Sequence, residues 1–208
     1  MGTSQSISTG SPGDLRPMPK SARDDSPIPV AAGPRSNRRT ETLADGRRAI
    51  VRPIRPGDVT RNRRFLEALS PPSRHFYFLG GIARLNDEEL RRLCNPDHAS
   101  SMAFVALAAD RVGNETSRQV GVCRYAGAGS ADGAEISVAV ADDWQHQGLG
   151  TALLRRLIDY ARAHGVKRLY SIDSAVNDSM RNLGTDLGFA VSRDPDDSCQ
   201  IILSLELR

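Results

Sequence analysis

Ala134-Glu135-Ile136-Ser137-Val138-Ala139-Val140-Ala141-Asp142-Asp143-Trp144-Gln145-His146-Gln147-Gly148-Leu149-Gly150-Thr151 is the stretch on which the fold turns. Its first part, Ala134 to Ala141, is rich in Val, Ile and Ala and reads as a strand. After the loop, Leu149, Ala152, Leu153, Leu157, Tyr160, Ala161 and His164 recur at three- and four-residue spacing, which predicts an amphipathic helix ended by Gly165. A strand that enters a long helix through a tight glycine loop aims several backbone N–H groups at one spot, where the helix dipole also favours negative charge. A pyrophosphate can bind there without a lysine. Gly148 and Gly150 are expected to let the backbone approach the phosphate oxygens, which a Cβ would hinder. Two other phosphate loops do not fit. The P-loop needs a Lys-Ser/Thr pair after its second glycine, and a dinucleotide fingerprint needs Gly or Ala where Leu153 stands.

Outward from this segment the chain reads as a mixed α/β domain. Upstream, Arg48 to Arg52 is a short strand candidate closed by Pro53 and the Pro56-Gly57-Asp58 turn. Asp58 is expected to cap a helix whose inner face carries Val59, Phe65, Leu66 and Leu69, and Pro71-Pro72 to end it. Ser73 to Leu79 is a second helical piece, and Asn86 with Glu89 forms a capping box for a third. Strand candidates Met102 to Ala108, Gln119 to Tyr125 and Ala134 to Ala141 then follow as an antiparallel meander. Downstream come a strand at Leu169 to Ile172, a helix at Asp178 to Leu187 ended by Gly188, and a last strand at Gln200 to Leu207. That order predicts a mixed sheet, mostly antiparallel at first and then β-α-β-α-β, with helices packed on it.

Composition divides the 208 residues into a tail, 1–43, and one domain, 44–208. The first 40 residues hold six of the twelve prolines and no aromatic residue, too little apolar surface to offset ordering entropy. They also carry the whole net charge of +3, leaving 22 basic and 22 acidic side chains in the remainder. A neutral domain without a basic stripe argues against a nucleic-acid partner, and no apolar stretch is long enough to span a membrane. Cys94, Cys123 and Cys199 are odd in number and far apart, so neither a disulfide framework nor a zinc site is expected. His75, His98, His146 and His164 have no metal-ligand spacing. A reducing, cytoplasmic setting fits these features.

The loop's Gln-x-x-Gly-x-Gly pattern, with Val140 five residues before Gln145, resembles the coenzyme A pyrophosphate loop of the GNAT superfamily of N-acetyltransferases. Asn177 followed by Leu187-Gly188-Phe189 resembles that family's second signature, and the likeness runs from about Arg48 to Leu207. Within the family, Arg52-Pro53-Ile54-Arg55-Pro56, Leu69-Ser70-Pro71-Pro72-Ser73-Arg74, Phe78-Leu79-Gly80-Gly81 and Ala134-Glu135 resemble the bacterial protein-lysine acetyltransferases. Many of those proteins carry an acyl-CoA-synthetase-like region that this sequence lacks.

The resemblance implies acetyl-CoA as cosubstrate and an amine acceptor, a protein lysine or a small amine, with no metal. It assigns cofactor binding to Val138, Ala139, Val140, Gln145, His146, Gln147, Gly148, Leu149, Gly150, Thr151 and Asn177, the backbone at Val138 to Val140 also facing the oxyanion. Asn177 could equally cap the helix it precedes. A lysine amine, ordinarily protonated at neutral pH, needs a general base, and the resemblance assigns that role to Glu135. Many family members place a Tyr seven residues after the Asn to protonate the departing thiolate. Here that position is Gly184, so solvent, Tyr125, Tyr170 or a cysteine would have to serve. A CoA-binding regulatory module without turnover is the alternative reading. Acceptor contacts are expected near Leu79 to Leu85.

Overall fold

The computed structural model describes residues 38–79, 85–110, 112, 114–128 and 133–207. Strands β1 (Arg39–Thr42) and β2 (Arg48–Pro53) come first, then a 3-10 turn at Pro56–Asp58 and helices α1 (Val59–Ala68), α2 (Pro71–Phe78) and α3 (Asp87–Leu93). Strands β3 (Ser101–Ala109), β4 (Glu115–Ala126) and β5 (Ala134–Val140) follow. A second 3-10 turn, Asp142–Trp144, leads to α4 (Leu149–Ala163). The chain closes with β6 (Arg168–Ser174), α5 (Asp178–Asp186), β7 (Ala190–Arg193) and β8 (Gln200–Glu206).

All eight strands form one sheet in the order β1-β2-β3-β4-β5-β6-β8-β7. The pairings are antiparallel except β5 with β6, which is parallel. The expected mixed architecture is therefore present. Alternation along β5 shows how the sheet divides two cores: Ala134 and Ile136 are buried in one with α4, while Ala139 is buried in the other with Phe65, Leu66 and Leu90 of α1 and α3. Helix α4 supplies the largest helical share of the first core, burying Leu149, Leu153, Leu154, Leu157, Ile158, Tyr160 and Ala161. Each of the larger side chains contributes roughly 1.5–3 kcal/mol by leaving water.

Four local features depart from expectation. Pro71 and Pro72 open α2 instead of ending α1: Ser70 is the N-cap and its side chain accepts from the Ser73 N–H. A proline costs nothing at the first helical positions, where its missing N–H would have had no partner. Asp58 makes no side-chain cap on α1. Its carboxylate instead accepts from both terminal nitrogens of buried Arg52 (2.7 and 2.8 Å), from Arg61 (2.6 Å) and from the Arg55 N–H (2.9 Å). These bonds hold its pKa below the usual range although burial pushes the other way. The sheet starts at Arg39, inside the segment assigned to the tail, because Arg-Thr-Glu-Thr pairs with β2 through its backbone and shows no hydrophobic alternation. Finally, β7 was not anticipated: its residues are all exposed, and an edge strand of this kind leaves no period-two signal.

Candidate active site

The parallel rungs of β5 and β6 are two, Ala134 with Leu169 and Glu135 with Tyr170. Beyond them the strands part. β6 keeps β8 on its far side over its whole length, and β5 keeps β4 from Ala126–Glu135 to Gly121–Val140. Ile136 to Val140 therefore present one backbone edge to the gap, as do the facing residues of β6. Backbone groups on such an edge need partners, and an extended amide-bearing ligand can supply them. Glu135 and Tyr170, in register on parallel strands, share the face opposite Ala134 and Leu169 at the base of this fork.

Above the fork stands the glycine loop. Gly148 is the N-cap of α4 and provides no side-chain bond, and the first intrahelical bond is Ala152 N–H to Gly148 C=O at 3.0 Å. The amides of Leu149, Gly150 and Thr151 are thus left to an outside acceptor, at the positive end of a 15-residue helix. Nothing in the protein lies within 4 Å of a Cβ built on Gly148, so the space in front of it is open. Its φ of +87° favours glycine, since that left-handed conformation strains other residues. At Gly150 a Cβ would lie 3.3 Å from Leu183 Cδ2, a tight contact that asks the leucine to give by a few tenths of an ångström. His146, exposed and at φ 58°, marks the loop tip. Gln147 accepts from the Ala44 N–H (3.2 Å), and Leu149 turns its side chain into the core while its N–H stays in the first turn.

Glu135 is half-buried, and burial pushes its carboxyl above the ordinary value. A base with a raised pKa is better matched to accepting a proton near neutral pH. Asn177 caps α5: its Oδ1 accepts from the Met180 N–H (3.2 Å) while its Nδ2 donates to Asp173 (2.8 Å). Gly184 is buried, and a Cβ there would lie 2.3 Å from Leu203 Cδ2, so this site is filled by the sheet and holds no acid. Tyr125 is fully buried, with its hydroxyl pushed well up, and Cys94 and Cys123 are raised by burial to about 11 and about 12. None of these three suits proton donation to a cofactor at the fork. Tyr170 is the tyrosine that the fold sets beside Glu135. The described residues contain no group of three or more metal-ligating side chains, and no described helix is long and apolar enough to cross a membrane. The acceptor contacts expected near Leu79 to Leu85 fall largely on residues 80–84, outside the described residues.

Sequence reasoning missed the residues that hold the loop in place. Asp142 accepts from the Ser70 N–H and hydroxyl and from the Ser73 hydroxyl, and the Gln145 side-chain amide donates to Ser73 and to the Val140 carbonyl. On the other side Arg47 donates to the Asp143 carbonyl (2.9 Å) and lies over the Trp144 ring, 4.3 Å from its centroid. The Trp at 144 was visible in sequence, but nothing in spacing links it to a residue nearly a hundred positions away.

Comparison with known proteins agrees with this geometry. Residues 63–189 match the model of the acetyltransferase (GNAT) family. A Pseudomonas aeruginosa protein named Acetyltransferase PA5475 is 46% identical over 167 residues, 80% of this chain and 88% of that protein. The crystal structure of the GNAT domain of S. lividans PAT superposes with a TM-score of 0.72 at 25% identity, covering 82% of this chain and 97% of that one. The Salmonella typhimurium protein yncA, a putative acetyltransferase solved with its cofactor acetyl-CoA, shares the fold at a TM-score of 0.57 and 19% identity, over 77% of this chain and 94% of its own. With an open fork, an uncapped α4 and a family match across more than half its length, the chain belongs to the GNAT family of acetyltransferases.

Proposed function

We propose that the protein transfers the acetyl group of acetyl-CoA to an amine, a protein lysine being the first acceptor class to test, by direct attack with Glu135 as general base. The observation that carries the reading is the uncapped N-terminus of α4 standing over the fork that Glu135 closes. Diphosphate fits the free amides of residues 149–151, and pantetheine fits the unpaired edge of Ile136 to Val140, whose N–H groups also suit the oxyanion. In that arrangement Glu135 takes a proton from the amine, the nitrogen attacks the thioester carbonyl, and the carbon–sulfur bond breaks. With no acid at Gly184, the thiolate takes its proton from water, a tolerable route for a group with an ordinary pKa near 8.5.

A second reading, a CoA-binding module without turnover, is favoured by the packing that closes position 184. Calorimetry of acetyl-CoA with wild type and Gly148→Glu, followed by an acceptor screen with wild type and Glu135→Gln, tests both. Binding that is lost in the glycine variant, with transfer that is lost in the Gln variant, supports the enzyme. Binding without transfer to any acceptor supports the module, and no binding by wild type overturns both readings.

A further inference from the structure

Asp142 sits at the centre of a chain of hydrogen bonds that joins the two sides of the site. Gln145 Nε2 donates to Ser73 Oγ (3.1 Å), which donates to Asp142 Oδ1 (2.6 Å). From the other side the Ser73 N–H donates to Ser70 Oγ (3.3 Å), and Ser70 Oγ donates to the same Oδ1 (2.6 Å). The Ser70 N–H occupies Oδ2 (2.9 Å). Each hydroxyl donates once and accepts once, so every proton in the chain points toward the carboxylate. Only an ionised acid at 142 satisfies that direction throughout. Burial raises the pKa of Asp142, and the bonds from Ser70 and Ser73 lower it by more, leaving it below the ordinary range.

The placement of the partners gives this chain a role beyond stability. Ser70 and Ser73 belong to the cap and first turn of α2, which packs against β5 with Phe78 and Tyr77 on the core that contains Ala139. That is the face of β5 on which Glu135 lies, and hence the side from which an amine must come. Gln145, in contrast, opens the loop that leads to the free amides of α4, the side on which the cofactor phosphates fit. Asp142 belongs to the turn that leads into this loop, and it and Gln145 both bond Ser73 of α2, so the loop and the helix meet at that hydroxyl.

We propose that Asp142 is a positioning residue that couples the acceptor-side helix α2 to the acetyl-CoA loop, so that filling the loop stiffens α2 and freeing α2 weakens acetyl-CoA binding. The coupling rests on the acetyl-CoA reading above. Asp142 is largely exposed and water moderates these bonds, so their loss is expected to lower acetyl-CoA affinity on the order of tenfold.

The test uses the full chain with Ser73→Ala, Asp142→Ala and Asp142→Asn. Calorimetry is expected to give acetyl-CoA binding weakened roughly tenfold in Ser73→Ala and Asp142→Ala, and less in Asp142→Asn, which keeps one acceptor oxygen. The KM for acetyl-CoA rises with these losses while kcat at saturation stays within about threefold, because the clamp positions and does not react. Hydrogen exchange is the second readout: acetyl-CoA slows exchange of the amides of residues 73–79 in wild type and fails to do so in Ser73→Ala. Wild-type binding retained within about twofold in the folded variants, or α2 exchange indifferent to acetyl-CoA in wild type, overturns the coupling and leaves the cofactor site standing. Failure of wild type to bind acetyl-CoA removes the cofactor site itself. Should Asp142→Ala not fold, Ser73→Ala decides, since it keeps the Ser70 cap on α2.

Discussion

Helices α4 and α5 follow the two strands of the same fork, yet their N-termini are built in opposite ways. At α5 the Asn177 side chain accepts from the Met180 N–H and is itself held by buried Asp173. At α4 the N-cap is Gly148, with no side chain to offer. The strands do not differ in this way: each is paired on its outer side, β5 with β4 and β6 with β8, and each turns its other edge to the gap. One helix has its N-terminus capped by its own side chain and the other has left its first amides for something else. A helix end left open beside an open strand edge is costly unless a ligand completes it, and it is this difference between the helix ends that places the proposed acetyl-CoA site on the β5–α4 arm.

Substitutions on the two arms should therefore differ in kind. The largest effect is expected for Glu135→Gln, which should lower kcat by about 10²–10⁴ while acetyl-CoA affinity, read by calorimetry, moves far less. A Gln variant with near-normal turnover would take chemistry away from the β5 arm. Next, Gly148→Glu combines left-handed backbone strain of about 1–2 kcal/mol with a like charge at the helix terminus, for a loss of acetyl-CoA affinity on the order of a hundredfold. Asn177→Ala on the closed arm should cost about 1 kcal/mol of stability in urea melts, with a smaller loss of acetyl-CoA affinity than Gly148→Glu. If the Asn variant loses more affinity than the Gly variant, the asymmetry between the arms is wrong. The finest test is the pH profile. Because burial raises the Glu135 carboxyl above 4.5, its basic form is present above that raised value and disappears as pH falls through it. The acidic limb of kcat/KM should lie above pH 4.5 and be missing from the residual activity of the Gln variant.

The open arm was legible in the sequence because its signals are local. Alternation in Ala134 to Val140, two glycines and a three-four apolar spacing lie within thirty residues of each other, so strand, loop and helix could be read in order. What escaped was either polar at an edge or distant in the chain. Arg39–Thr42 and Ala190–Arg193 enter the sheet through backbone pairing, and their mostly exposed side chains carry no trace of it. Ser70 and Ser73 meet Asp142 across about seventy positions, and serine beside aspartate is too common a composition to mark such a contact. The prolines at 71 and 72 misled for a definite reason: proline signals a helix boundary, and from sequence the same residue can end one helix or begin the next.

The two rungs that join β5 to β6 have a consequence for how the molecule comes apart. Across that line the sheet is held by far fewer backbone bonds than along β6–β8, so it forms a seam between an N-terminal unit that runs through β5 and the α4 packed on it and a C-terminal unit of β6, α5, β7 and β8. Apart from those rungs, side-chain packing such as that of Leu183 beside Gly150 bridges it. Sub-global opening should begin there, with amides of the C-terminal unit exchanging at a lower free energy than those of β3 and β4. A ligand laid along the gap would stitch the seam, merging the two units into one cooperative transition and making the melting curve steeper as well as higher.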